Sequence, residues 1–187
     1  MLKVIQINQN TELIKQSLQN NRKAQKKLYE KFAPKMLSLC AYYIKDIQQS
    51  EEVMLNGFLK VFTKLNQFSN KGSFEGWIRK IMVFECISYL RTKNKYLFTD
   101  IIENYEPLVE NEVELSIAVE ELHNHIKELP EGCRIIFNMY VIEGYKHHEI
   151  ADLLNISPGT SKTQLFRARK ALKEMISLHQ KKYYERS

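Results

Sequence analysis

Four side chains near the C-terminus, Lys162, Thr163, Phe166 and Arg167, fall on one side of a helical repeat whose other side is Leu165, Ala168, Leu172 and Met175. Cations and a hydroxyl on an exposed helix face suit the base edges of the DNA major groove and phosphate oxygens. The same pattern also describes a solvated basic face on an ordinary helical hairpin. The preceding segment decides between the two. It reads His147-His-Glu-Ile-Ala-Asp-Leu-Leu-Asn-Ile-Ser-Pro-Gly-Thr-Ser161. Ala151 is small where two helices must cross closely, and Asn155 tolerates the left-handed conformation of a tight turn. Ile156 supplies an apolar plug, Ser157 a natural N-cap and Pro158 a natural first helical residue. Together they specify a helix-turn-helix whose second helix presents the basic face.

Other reactive side chains form no constellation. His147-His148-Glu149 lacks the spacing of a metal-binding helix, and His123 and His125 lie two apart, so they do not share a helix face. There is no glycine-rich phosphate loop. Cys40, Cys86 and Cys133 are far apart and form no CxxC pair, which argues against a zinc site or disulfide framework and for a reducing cytosol, with all three as small buried hydrophobes. The expectation is a protein that is not an enzyme, with no metal, no cofactor and no small-molecule substrate.

The elements that must position the basic face are helices throughout. Strand alternation rarely persists, and helical spacing recurs. A short helix is expected over 11–19. Residues 22–45 follow with Leu28, Phe32, Met36, Leu37 and Cys40 on one stripe, as two helices or one kinked at Pro34. Residues 50–67 read as a helix with Ser50 as N-cap and Glu51 and Glu52 in the first turn. Phe68 to Ser73 is a breaker, and 74–90 a further helix. Residues 96–114 are acidic, contain Pro107, and read as a linker. Helices resume over 115–129, from Pro130 to Ile142, over 147–154, and from Pro158 onward. The fold class is all-α: two small helical domains joined by a flexible acidic linker. A formal charge of +6 and a pI near 9.1 suit a polyanionic partner. No window has a signal peptide's apolar run or the length of a membrane span, so no membrane insertion and a cytoplasmic location are expected.

Several segments of this sequence resemble the extracytoplasmic-function sigma factors of bacterial RNA polymerase. Leu129-Pro-Glu-Gly-Cys-Arg-Ile-Ile-Phe137, Glu143-Gly-Tyr-Lys-His-His-Glu-Ile-Ala151, Pro158-Gly-Thr-Ser-Lys162 and Arg167-Ala-Arg-Lys-Ala-Leu172 resemble sigma region 4. Ala24-Gln-Lys-Lys-Leu-Tyr-Glu30, Phe58-Leu-Lys-Val-Phe62, Phe74-Glu-Gly-Trp-Ile78 and Ile87-Ser-Tyr-Leu-Arg91 resemble region 2. The resemblance implies an N-terminal extension (1–21), region 2 (22–95), the linker (96–114), region 4 (115–178) and a tail (179–187).

Its functional implications are a sigma factor that directs core RNA polymerase to promoters and initiates transcription. Region 4 reads double-stranded DNA at the minus-35 element through Lys162, Thr163, Phe166 and Arg167. Region 2 binds polymerase, with Glu51, Glu52, Phe58 and Lys60 as candidates, and melts the minus-10 element. Capturing an unstacked base needs a pocket beside cations that hold phosphates. The candidates for contact with melted DNA are Phe68, Asn70, Lys71, Arg79, Lys80, Arg91, Lys93 and Lys95. Trp77, Phe58 and Phe62 have core spacing and read as packing rather than stacking. An anti-sigma factor is a further implied partner.

The sequence departs from the family at Leu55, Phe84 and Ser88, where many members carry glutamine, asparagine and aspartate, and at Ser161, where many carry an apolar residue. The last is expected to loosen local packing. The alternative to a sigma factor is a helix-turn-helix regulator acting without core polymerase; it accounts for 115–178 but leaves the N-terminal helical domain unexplained.

Overall fold

The computed structural model describes residues 2–69, 71–93 and 119–184. Among them are eight α-helices and no strand, in two units, 1–93 and 94–187. The expected linker over 96–114 lies outside the described residues.

In the first unit, α1 (Leu2–Leu18) is followed by Asn20 with φ 59°, and Asn21 then caps α2 (Arg22–Tyr43) by accepting from the backbone N–H groups of Lys23 and Ala24 at 3.0 and 3.2 Å. α2 runs unbroken through Pro34 as one helix. Pro34 and Glu30, whose carbonyl loses a bond to it, are both exposed, so water can satisfy that carbonyl.

The next helix, α3 (Ile47–Thr63), begins earlier than its sequence suggests. Asp46 is its N-cap, accepting from the Gln49 N–H at 2.9 Å. Ser50 lies inside the helix, fully buried, and its hydroxyl bonds the carbonyls of Ile44 and Asp46, both at 2.7 Å. A 3₁₀ turn over Leu65–Gln67 leads to α4 (Phe74–Lys93), where the Ser73 hydroxyl accepts from the Gly76 N–H.

Leu28, Phe32, Met36 and Cys40 of α2 meet Val53, Met54, Phe58 and Val61 of α3 and Ile78, Met82, Cys86 and Leu90 of α4. Leu37 is only half-buried, and Leu39 fills the core instead. At Gly57 a Cβ would stand 2.3 Å from the Met82 sulfur, so a larger residue there would require the end of the Met82 side chain to move. Cys40, Cys86 and Cys133 are buried free thiols. A hydrogen bond that the Cys86 thiol donates to Cys40, and burial, push Cys86 well above the usual thiol range, which keeps it protonated.

The second unit contains α5 (Val119–Glu128), α6 (Glu131–Phe137), α7 (His147–Leu154) and α8 (Pro158–Tyr184). Pro130 stands just before α6 as its N-cap, its carbonyl accepting from Arg134 N–H at 2.9 Å. The expected helix to Ile142 finishes as a π turn over Asn138–Ile142, and Gly144, with φ 77°, reverses the chain before α7. Ile126, Leu129, Ile135, Ile136, Met139, Ile150 and Leu154 form the core with Leu165, Ala168, Leu172 and Ile176 of α8. Ile176 takes the place the sequence suggested for Met175, which is half-buried.

Candidate nucleic-acid interface

The turn between α7 and α8 is built from local chemistry. Asn155 adopts φ 56°, ψ 51°, and the N–H groups of Asn155 and Ile156 both turn back to the Ala151 carbonyl. The Ser157 hydroxyl accepts from the Thr160 N–H at 3.0 Å, and Pro158 opens α8. Ala151 is buried and Ile156 half-buried, as the crossing of two helices requires.

A second connection was not legible in the sequence. Ser161 is fully buried and shares a hydrogen bond of 2.9 Å with Nδ1 of His147, tying the first turn of α8 to the first turn of α7. The imidazole also stacks on Tyr140, with centroids 4.4 Å apart. The expected loosening at Ser161 is therefore replaced by a polar tie. Burial, and then the positive charges of Lys162 and Arg169, hold His147 below its ordinary pKa, so the ring is neutral at neutral pH.

Below this turn Arg134 is buried, with Nη1 reaching the Leu129 carbonyl at 3.4 Å. Burial lowers its pKa, opposed by Glu131. Its sequence signal is a lone charge within the apolar run Gly132–Phe137.

On α8, Lys162 is exposed, and Thr163, Phe166 and Arg167 are half-buried along the side away from Leu165 and Ala168. Gln164 accepts from the Cys133 thiol at 3.0 Å, and the guanidinium charge of Arg167 opposes the burial that raises that thiol's pKa. This side of α8 is thus tied to α6.

In the other unit, Lys71, Lys80, Arg91 and Lys93 are exposed and Arg79 is half-buried; Asn70 and Lys95 lie outside the described residues. Lys93 donates to the Gln49 side chain at 2.8 Å, in a group that includes the Tyr89 hydroxyl. Phe68, Phe74 and Trp77 form an aromatic cluster with centroids 5.1 to 5.8 Å apart; Phe74 is buried, while Phe68 and Trp77 keep partial exposure.

Glu51 and Glu52 are exposed in the first turns of α3. Lys60 pairs with Glu85 of α4 at 2.6 Å. Phe58 is corrected as a surface contact: it is 3% exposed and packs edge-on against Tyr29 at 4.9 Å, so it braces α3 from within. Among the described residues no group of three His, Cys, Asp or Glu side chains is placed to hold a metal ion, and no helix is long and apolar enough to cross a membrane.

Two family models match this chain in sequence order: sigma-70 region 2 over residues 28–96 and sigma-70 region 4 over residues 120–172. The chain belongs to the sigma-70 family, in its extracytoplasmic-function branch. Among similar proteins, the RNA polymerase sigma-H factor of Pseudomonas aeruginosa is 22% identical over 90% of this chain and 94% of its own length. The sigma factor SigW of Bacillus subtilis is 24% identical over 87% of this chain and 94% of its own. The solved structure of CnrH with the cytosolic domain of CnrY has a comparable fold, with a TM-score of 0.51 at 15% identity over 91% of this chain and 98% of that one. As a sigma factor, the chain directs RNA polymerase to promoters, and region 2 accounts for the N-terminal helices that a stand-alone regulator leaves unexplained.

Proposed function

We propose that this sigma factor works by binding alone, with no catalytic step of its own, and that it acts in the cytoplasm. Its division of labour is 22–95 for core polymerase and the minus-10 element and 115–178 for the minus-35 element, with 1–21 an extension, 96–114 a linker and 179–187 a tail. Lys162, Thr163, Phe166 and Arg167 meet the major groove. Phe68, Asn70, Lys71, Arg79, Lys80, Arg91, Lys93 and Lys95 meet melted DNA. Glu51, Glu52 and Lys60 meet polymerase. An anti-sigma factor is the remaining partner, as the resemblance implies.

The observation that carries this reading is the pairing, in one chain and in order, of a region 2 match with a region 4 match whose α8 starts from a capped turn. Run-off transcription with core RNA polymerase on genomic fragments tests it. The expected result is discrete start sites that appear only when the protein is added. Failure to bind core, together with specific DNA binding by the protein alone, would instead support a regulator acting without polymerase.

A further inference from the structure

His147 stands where both helices of the helix-turn-helix begin. It opens α7, and its Nδ1 shares the 2.9 Å hydrogen bond with Ser161 in the first turn of α8. α7 packs against α8 and against the π turn over Asn138–Ile142. The titratable side chain of the π turn is Tyr140, whose ring stacks on the imidazole at 4.4 Å and 22°. From α8 the charges that act on the imidazole are Lys162 and Arg169, both exposed and both positive. On α7 itself His148, Glu149 and Asp152 are exposed, and Glu149 is engaged with the Lys146 N–H at 2.7 Å. The imidazole thus stands in a positive field.

A DNA duplex reverses that field. In a helix-turn-helix the first helix crosses the phosphate backbone and the second enters the major groove by its N-terminal residues. The junction that holds His147 and Lys162 therefore meets the phosphate rim of the groove. A phosphate beside Lys162 cancels the repulsion that the lysine exerts on the ring, and it attracts an imidazolium directly. Gaining the proton does not break the polar tie. A charged imidazole donates from Nδ1, and the Ser161 hydroxyl can accept.

We propose that His147 couples proton uptake to promoter binding: duplex phosphates at Lys162 draw a proton onto the ring, and a fall in pH tightens the hold of α7 and α8 on the DNA. This goes beyond the sigma-factor reading and rests on it, giving the DNA-binding unit a response to pH. The coupling is reciprocal: the affinity for DNA gained on protonation equals the affinity for the proton gained on binding DNA. Its sign follows from the bound chain holding the proton more tightly than the free chain. The added affinity is present below the bound chain's pKa and is lost as pH rises through it. The same proton disfavours the free fold, where burial, Lys162 and Arg169 oppose it, so its two effects have opposite signs.

The test uses holoenzyme assembled from core RNA polymerase and the full chain, with double-stranded promoter DNA as the probe. Its affinity is measured at pH 6, 7 and 8 and constant ionic strength. His147→Asn and His147→Gln carry amides that can hold the Ser161 hydroxyl but do not titrate. From pH 8 to pH 6 the native affinity is expected to rise by about 3- to 10-fold more than that of either variant. His148→Asn, at the exposed neighbour, is expected to follow the native profile. If both His147 variants keep the native profile, the ring is not the coupled group. A loss of affinity in both variants that is the same at every pH makes the ring merely structural and overturns the proposal. A native affinity that falls with pH, relative to the variants, overturns it too, because repulsion from Lys162 then dominates. If the native protein forms no holoenzyme at any pH, the sigma reading itself fails, an outcome separate from these.

Discussion

Ser157 stands just before α8 and Ser50 in the first turn of α3, and the two hydroxyls are used in opposite ways. Ser157 is exposed, and its hydroxyl accepts a backbone N–H as an N-cap does. Ser50 is fully buried one turn into its helix, and its hydroxyl donates to carbonyls while Asp46 does the capping. The difference is solvent. A cap in water is judged by the few residues around it, whereas a hydroxyl in a core must find a partner among whatever the fold brings near.

Replacing both serines by aspartate sharpens this comparison most. Ser50→Asp should cost about 3 kcal/mol or more, because it buries a carboxyl group against carbonyl oxygens. Ser157→Asp should stay within about 0.5 kcal/mol, since aspartate caps as well as serine. Urea unfolding followed by Trp77, the only tryptophan, reads the first unit, and circular dichroism follows the whole chain. Equal costs at the two sites would erase the distinction.

The next effect concerns what the α8 turn is for. Arg167→Ala should weaken promoter binding by the holoenzyme by about 1–3 kcal/mol if the guanidinium reads a base, and core binding should be unchanged. Affinities across a set of minus-35 variants distinguish the roles: loss confined to some variants marks base readout, a uniform loss marks a phosphate contact, and no loss means the reading face lies elsewhere on α8.

A somewhat smaller effect is expected at Asn155. Asn155→Val forces a β-branched residue into the left-handed region and should cost about 1–2 kcal/mol, while Asn155→Gly should be nearly neutral. Thermal unfolding of both variants checks this.

The smallest effect is a pH slope from His147. Its pKa is lowered in the folded chain by burial and by Lys162 and Arg169. The unfolded chain therefore binds the proton more readily, so this contribution to stability is complete above the ordinary histidine pKa of about 6.5 and declines as pH falls below it. His147→Asn should flatten that part of the stability profile in urea titrations run at several pH values.

These contrasts also mark what the sequence discloses. Asn155, Ser157 and Pro158 were legible because every partner they need lies within a few residues. The helical class followed from periodicity, and the buried cysteines from their spacing. Ser50 and Asp46 were not separable, because which one caps α3 depends on what is buried. Pro34 looked like an interruption, yet its exposed position lets α2 continue through it. Partners 25 and 40 residues apart, Lys60 with Glu85 and Lys35 with Glu75, leave no local trace. Phe58 read as core from its spacing, whereas the outward position of Phe84 shows only in the packing of α2, α3 and α4.

The bond between Ser161 and His147 has a further consequence for α8. An apolar contact at that crossing would have an area but no direction, and α8 could roll about its own axis with little loss. A hydrogen bond weakens steeply as its angle departs from straight. Slipping α8 by one residue would turn it by about 100° and break the bond outright. The serine thus acts like the detent on a dial, fixing the angular phase at which Lys162, Thr163, Phe166 and Arg167 are presented.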